Sequence, residues 1–203
     1  MGRRPDIDGR ELLLAAGLKL FSEHGLDAVS IRAVTREAGL GPAAVHYHFV
    51  TKEALVEAVL ERYGGDVVER VRERAKELAA SGAVVDGHGL VTVMIEPYLE
   101  LMASRADEGL AWVRLMAQVL QQSPDRLLEG PSMRAVRRAA ALAYPEARPA
   151  DVRRALRMCL ILLIGQLATM SGRRRSGVDI ETLIEFLAAG LDATLGARAR
   201  ATA

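Results

Sequence analysis

The glycine at position 39, set between two short helical segments and followed at once by Leu40, constrains this chain more than any other feature. Segment 30–38 opens at Ser30, a good N-cap, and stops at the glycine. Segment 43–49 follows Pro42, which sits in a first turn where a missing N–H is tolerated. Val34 and Ala38 face inward from the first segment, Leu40 plugs the turn and Val45 comes from the second. Gly39 turns the backbone without a Cβ clash. This is the physical content of a helix-turn-helix. Ala43 and Ala44 keep the exposed front of its second helix slim.

The flanks read as helix too. Asp8 and Glu11 make a variant capping box, and Leu12, Leu13, Ala16, Leu20 and Phe21 fall on one face before Gly25 supplies a left-handed stop. Thr51 caps a fourth helix to about residue 80, with Leu55, Val59, Tyr63, Val67 and Val71 at helical spacing. A glycine-rich connection, 81–89, precedes helices expected over 90–105 (kinked at Pro97), 110–122, 151–171 and 179–195, with a further segment after Pro124, open to a break at Glu129-Gly-Pro131, that runs on to Tyr144-Pro145. Aromatic residues are only 4%, and Ala, Leu, Arg and Glu dominate, which favours packed helices over a sandwich. No period-two alternation stands out. The expected fold is all-α, about nine helices: a three-helix head over residues 1–50 and a larger helical domain over 51–203.

Charge and cysteine content narrow the function classes. Net charge is +1, so global charge gives no argument for nucleic acid. Cys159 is the only cysteine, which excludes an intrachain disulfide and fits a reducing cytoplasm. Residues 1–5 are basic but lead into a polar segment, which reads against an export leader. The longest apolar run, 158–164, is far short of a membrane span.

Residues 18–60 resemble the DNA-binding domain of the TetR family of repressors. The resemblance rests on Phe21, His24-Gly25, Ser30-Ile31, Ala38-Gly39-Leu40, Tyr47-His48-Phe49 and Lys52-Glu53-Ala54-Leu55 in that order. It implies a DNA-contacting set on this sequence. Ser30 would meet phosphate at a helix N-terminus, and Arg32 would reach a base, where arginine suits guanine. Gly41, Pro42, Ala43 and Ala44 would lie against the groove. His46 and Tyr47 would meet phosphate or a thymine methyl. Lys52 would bind phosphate, and His48 suits either a phosphate bond or packing beneath the next helix. Arg3 and Arg4 could trail into the minor groove. Gly41, His46 and Thr35 stand where the family usually has Ser or Thr, Tyr and Ala; the first two lie on the reading surface, which leaves the operator sequence open. The local patch, Arg32, Arg36 and Lys52 against Glu37, is weakly basic, so two copies are needed to engage several phosphates.

The C-terminal half carries two further expectations. A self-association face is read on Val152, Leu156, Leu160, Leu163 and Leu167 of one helix and Ile180, Leu183, Ile184, Leu187 and Leu191 of the next. The resemblance implies that these pair with their symmetry mates in a four-helix bundle, although the same residues would also serve the core. A hydrophobic effector pocket is read on Met94, Tyr98, Met102, Trp112, Leu115, Met116, Val119, Met158, Leu162 and Gln166, with Glu96 and Arg114 as polar anchors. Ordinary core is the competing reading for each. Residues 112–124 with Gly165 resemble a subgroup of the family that includes fatty-acid-responsive members, which implies a lipid-like or aromatic effector.

No enzyme is expected, because no paired carboxylates, nucleophile or metal set stands out. His46 and His48 are two residues apart on a helix and do not face each other, so no metal is expected there. No cofactor is called for. Cys159 reads as inert core, His88 as a loop residue and the basic 172–175 stretch as a solvated loop. The expected function is a cytoplasmic, ligand-responsive repressor, homodimeric on double-stranded operator DNA, without membrane contact. An activator of the same fold, or an interaction protein that does not bind DNA, remains open at this point.

Overall fold

The computed structural model describes residues 7–41, 47–123, 127–170 and 179–201. Among these residues the chain is helical, without strands. The helices are α1 (Ile7–His24), α2 (Ile31–Glu37), α3 (Lys52–Ala80), α4 (Gly87–Ser104), α5 (Ala106–Gln122), α6 (Pro131–Ala143), α7 (Pro149–Thr169) and α8 (Ile180–Ala201). Pro42, Ala43, Ala44 and His46 lie outside the described residues, as do Arg3, Arg4 and the 172–175 stretch.

The start and stop signals act through specific atoms. Ser30 Oγ accepts from the Ala33 amide, and Thr51 Oγ1 accepts from the Ala54 amide. Gly25 and Gly39 take φ of 92° and 67°, left-handed conformations that a Cβ would strain. Four elements depart from the sequence expectation: α5 begins at Ala106 rather than near 110, α8 runs on to Ala201 rather than 195, and α1 and α4 start early. α1 is already helical at Ile7, so Asp8 lies inside it rather than capping it. α4 begins at Gly87, inside the expected connection, because Asp86 caps it by accepting from the Gly89 amide. Pro97 sits within the continuous span of α4.

The head is built from α1 and α2 with the first turns of α3. Leu13, Leu14, Phe21, Val34, Phe49, Leu55 and Val59 are buried together, so the fourth helix of the sequence reading completes the head's core as well as leaving it. Thr35, which stands where the family usually has alanine, is buried at 4% exposure and donates its hydroxyl to the Ile31 carbonyl. That intrahelical bond satisfies the polar group the substitution introduces.

The body forms around α3, which runs along α6 and α4. α5 lies between α7 on one side and α1 and α4 on the other, so it touches both head and body. α8 packs on α4 and α7. Tyr144 donates to Asp192 Oδ1 at 2.5 Å, and the Gly87 amide donates to the same oxygen at 3.2 Å, clasping α8 to the start of α4. Burial, with the Asp192 bond behind it, pushes the Tyr144 hydroxyl up, so it stays a donor.

Candidate functional site

Several head residues named from the sequence are exposed. Arg32 and Arg36 stand out from α2, Tyr47 is 73% exposed and Val50 is 82% exposed. Ser30, also exposed, points its Oγ at the helix start. Gly41 is exposed with open space around it, so the backbone there can be approached closely.

Two residues expected on phosphate are held by the chain itself. Lys52 donates to the Leu26 carbonyl, so its ammonium braces the loop between α1 and α2. His48 is half-buried, and a Cβ at Gly9 would lie 3.3 Å from its Nε2, so it packs beneath α1. The guanidinium of Arg10 stacks 5.5 Å from the Phe49 ring centroid, holding the same end of the head.

The joint between head and body is an amide clamp that the sequence reading missed. Gln118 of α5 accepts from the Leu26 amide at 2.8 Å and donates to the Phe21 carbonyl at 2.9 Å. Gln122, one turn on, donates to Asp27 at 3.1 Å. No sequence signal separates Gln118 from any half-buried helical glutamine; only its placement opposite the Leu26 amide and the Phe21 carbonyl, at the end of α1, gives it a task. Gln118→Ala strands the Leu26 amide, and the expected loss is about 1–3 kcal/mol. Urea unfolding measures that loss, and hydrogen exchange at residues 26–29 should accelerate more than exchange elsewhere in the chain.

The body holds a cavity of about 100 Å³. Val68 and Val71 of α3, Met94 and Tyr98 of α4, Met116 of α5 and Leu160 of α7 wall it. Ser132 and Met133 of α6, with Leu127 and Gly130 before it, complete the lining. Behind Tyr98 stands Trp112, fully buried, its ring centroid 5.6 Å from that of Tyr98. Trp112 Nε1 donates to the Leu60 carbonyl of α3 at 3.0 Å.

The family model described as bacterial regulatory proteins, tetR family, matches residues 13–59, and the tetracyclin repressor-like C-terminal domain matches residues 92–190. The chain belongs to the TetR family. It is 25% identical over 109 residues to the HTH-type transcriptional regulator UidR of Escherichia coli K12, a match covering 54% of this chain and 50% of that protein. The matched stretch thus spans about half the length of this relative. Among solved structures it resembles SmeT, the repressor of the Stenotrophomonas maltophilia multidrug efflux pump SmeDEF (TM-score 0.56, 25% identity, 94% of this chain and 91% of that one). It also shares the fold of a TetR-like transcriptional regulator from Rhodococcus sp. RHA1 (TM-score 0.60, 17% identity, 96% and 99% covered). The chain is therefore a TetR-family transcriptional regulator with a helix-turn-helix head. No described helix is long and apolar enough to cross a membrane.

Within this TetR chain, the expected pocket residues divide. Met94, Tyr98 and Met116 line the cavity. Trp112 and Leu115 are buried outside its lining, and Met102 is half-buried outside it as well. Val119 lines a separate crevice with Leu26 and Lys52 at the head–body joint. Met158 and Leu162 are 59% and 42% exposed on the outer side of α7, so they line no cavity. Gln166 is half-buried near the end of α7. Glu96 is exposed and pairs with Arg74 at 2.7 Å, and Arg114 donates to the Ala168 carbonyl; neither lines the cavity. The walls from α3 and α6 were missed, although Met133, Val136 and Ala140 form a stripe at helical spacing.

The expected self-association residues also sit elsewhere. Val152, Leu156, Leu160, Leu163 and Leu167 are 0–4% exposed inside the single chain. Leu183, Leu187 and Leu191 are 1–4% exposed, while Ile180 and Ile184 pack half-buried against the core. The richest apolar stripe of each helix is taken by the core, where α7 meets α5 and α8 meets α4. A second stripe faces out, Met158, Ile161, Leu162 and Gly165 on α7 with Phe186, Ala189, Gly190 and Ala193 on α8, flanked by the exposed charged residues Arg154 of α7 and Glu185 and Asp192 of α8. Its glycines have open space where a Cβ would stand.

Proposed function

We propose that this regulator is a ligand-responsive repressor which binds a pseudo-palindromic operator as a homodimer and leaves it when a small apolar effector fills the cavity. The observation that carries the reading is α3. Its 29 residues form one helix that begins in the head and walls the cavity with Val68 and Val71. The span is about 43 Å, so a small tilt at the cavity becomes a larger displacement of the head. α5 adds a second link, since it carries both Met116 on the cavity and Gln118 on the head. An effector that binds better to the tilted form then disfavours the DNA-bound form by the same free energy.

The dimer face of this reading is the outer stripe of α7 and α8, closed by the same stripe of a second copy into a four-helix bundle. Residues 1–50 act as the reading head and 51–203 as the effector and dimerisation unit, with α3 shared between them. Such a protein works on chromosomal DNA in the cytoplasm, and the chain's own residues call for no catalysis.

Arg32→Ala and Tyr47→Ala test the head. Both side chains are exposed, so the fold and oligomeric state should stay unchanged. Binding to duplexes selected in vitro by the wild-type protein should weaken about ten-fold or more for each variant, with sequence preference relaxed most by Arg32→Ala. Wild-type affinity in both variants, at matched salt, would remove the proposed interface.

A further inference from the structure

The cavity is selective in its chemistry. No charged side chain lines it; its polar side chains are Tyr98 and Ser132. A buried carboxylate or ammonium would find no opposite charge there, and an unpaired buried ion is strongly disfavoured. Tyr98 is 6% exposed and makes no hydrogen bond among the described residues, and burial pushes its hydroxyl up so that it remains a neutral donor. That hydroxyl opens on the cavity rather than being sealed in the core, so a ligand's polar atom can reach it there.

The remaining wall is soft and close. Met94, Met116 and Met133 bring three thioethers to the same space, a lining that favours aromatic rings through sulfur–ring contacts. A cavity of about 150 Å³ accepts benzene, so one of about 100 Å³ accommodates one ring at most, with any excess at the mouth beside Leu127 and Gly130. An extended acyl chain would leave most of its length outside this space.

Resting on the effector reading above, we propose that the cavity takes a compact, neutral, single-ring aromatic molecule whose one oxygen accepts a hydrogen bond from Tyr98. This replaces the lipid-like alternative with a definite class. Ionised acids are excluded from it by the absence of a counter-charge.

Trp112 reports occupancy directly, because it is the only tryptophan in the chain and stacks on Tyr98. Fluorescence titration of the full-length protein with phenol should saturate, and phenol should bind about ten-fold tighter than toluene, the worth of one neutral hydrogen bond. Benzoate at neutral pH should give no saturable change. Tyr98→Phe removes only an unpartnered hydroxyl, so the variant should fold, keep its toluene affinity and lose the phenol advantage. Ser132→Trp, placed at a half-buried position on the cavity rim, should abolish the response to both. Saturable benzoate binding, no response to phenol, or an undiminished phenol advantage in Tyr98→Phe would each overturn the assignment. A mobility-shift assay on in vitro selected DNA separates the two layers. Phenol that saturates Trp112 but releases no DNA supports the ligand class and sinks effector-driven release.

Discussion

Gly64→Ala should lower the stability of this protein by about 3 kcal/mol or more, while Gly65→Ala, one residue on, should raise it. Both glycines lie inside α3, where alanine is intrinsically better by about 0.5–1 kcal/mol. The difference is Trp112. A Cβ at Gly64 would stand 2.0 Å from its Cε2 and Cζ2 and 2.6 Å from its Nε1. The ring cannot slide aside cheaply: it is fully buried, Tyr98 stacks against it and its N–H is bonded to Leu60. A Cβ at Gly65 meets only Glu61 Cγ, at 3.9 Å. Moving the ring would also break the link between the cavity wall and α3. Urea unfolding followed by circular dichroism measures the stability change, and Trp112 emission reports whether the ring has been expelled. An alanine at 64 that leaves the unfolding midpoint at or above wild type would show that α3 and α5 do not approach as closely as described.

That contact marks where sequence legibility ends. Helix starts were readable at Ser30 and Thr51, because a cap is a local bargain between one side chain and one amide. The left-handed stops at Gly25 and Gly39 were readable for the same reason. Gly64 carries no such signal, since its requirement comes from a tryptophan 48 positions away in the chain, at the packing of α3 on α5. Gln118 is equally silent: its value depends on the Phe21 carbonyl and Leu26 amide arriving opposite it. Lys52 reads in the sequence as a phosphate contact and not as a brace, because the Leu26 carbonyl that captures it belongs to another loop. On α7 the periodicity was legible and the phase was not. A helix with two apolar stripes tells which residues travel together; only the neighbours decide which stripe is inside.

That phase makes a sharp test at two adjacent residues. Leu162 is 42% exposed and Leu163 is 0% exposed, about 100° apart around α7. Leu163→Asp buries a charge without a partner in the core and should unfold the chain, at a cost on the order of 4 kcal/mol or more. Leu162→Asp leaves the core untouched, so its stability as a monomer should change by about 0.5 kcal/mol or less. In the proposed dimer, however, two-fold symmetry sets the new carboxylates into a face made of Met158, Ile161, Phe186 and small residues. The expected result is a folded monomer in sedimentation velocity at concentrations where the wild type is a dimer. Operator affinity should then fall by about two orders of magnitude or more, because each head must find its half-site without the local concentration its partner provides. Arg32→Ala should do the reverse, weakening DNA binding in a chain that still pairs. If Leu162→Asp remains a dimer while Leu163→Asp unfolds, the outer stripe is not the face that joins two copies, and the bundle must be sought on another surface.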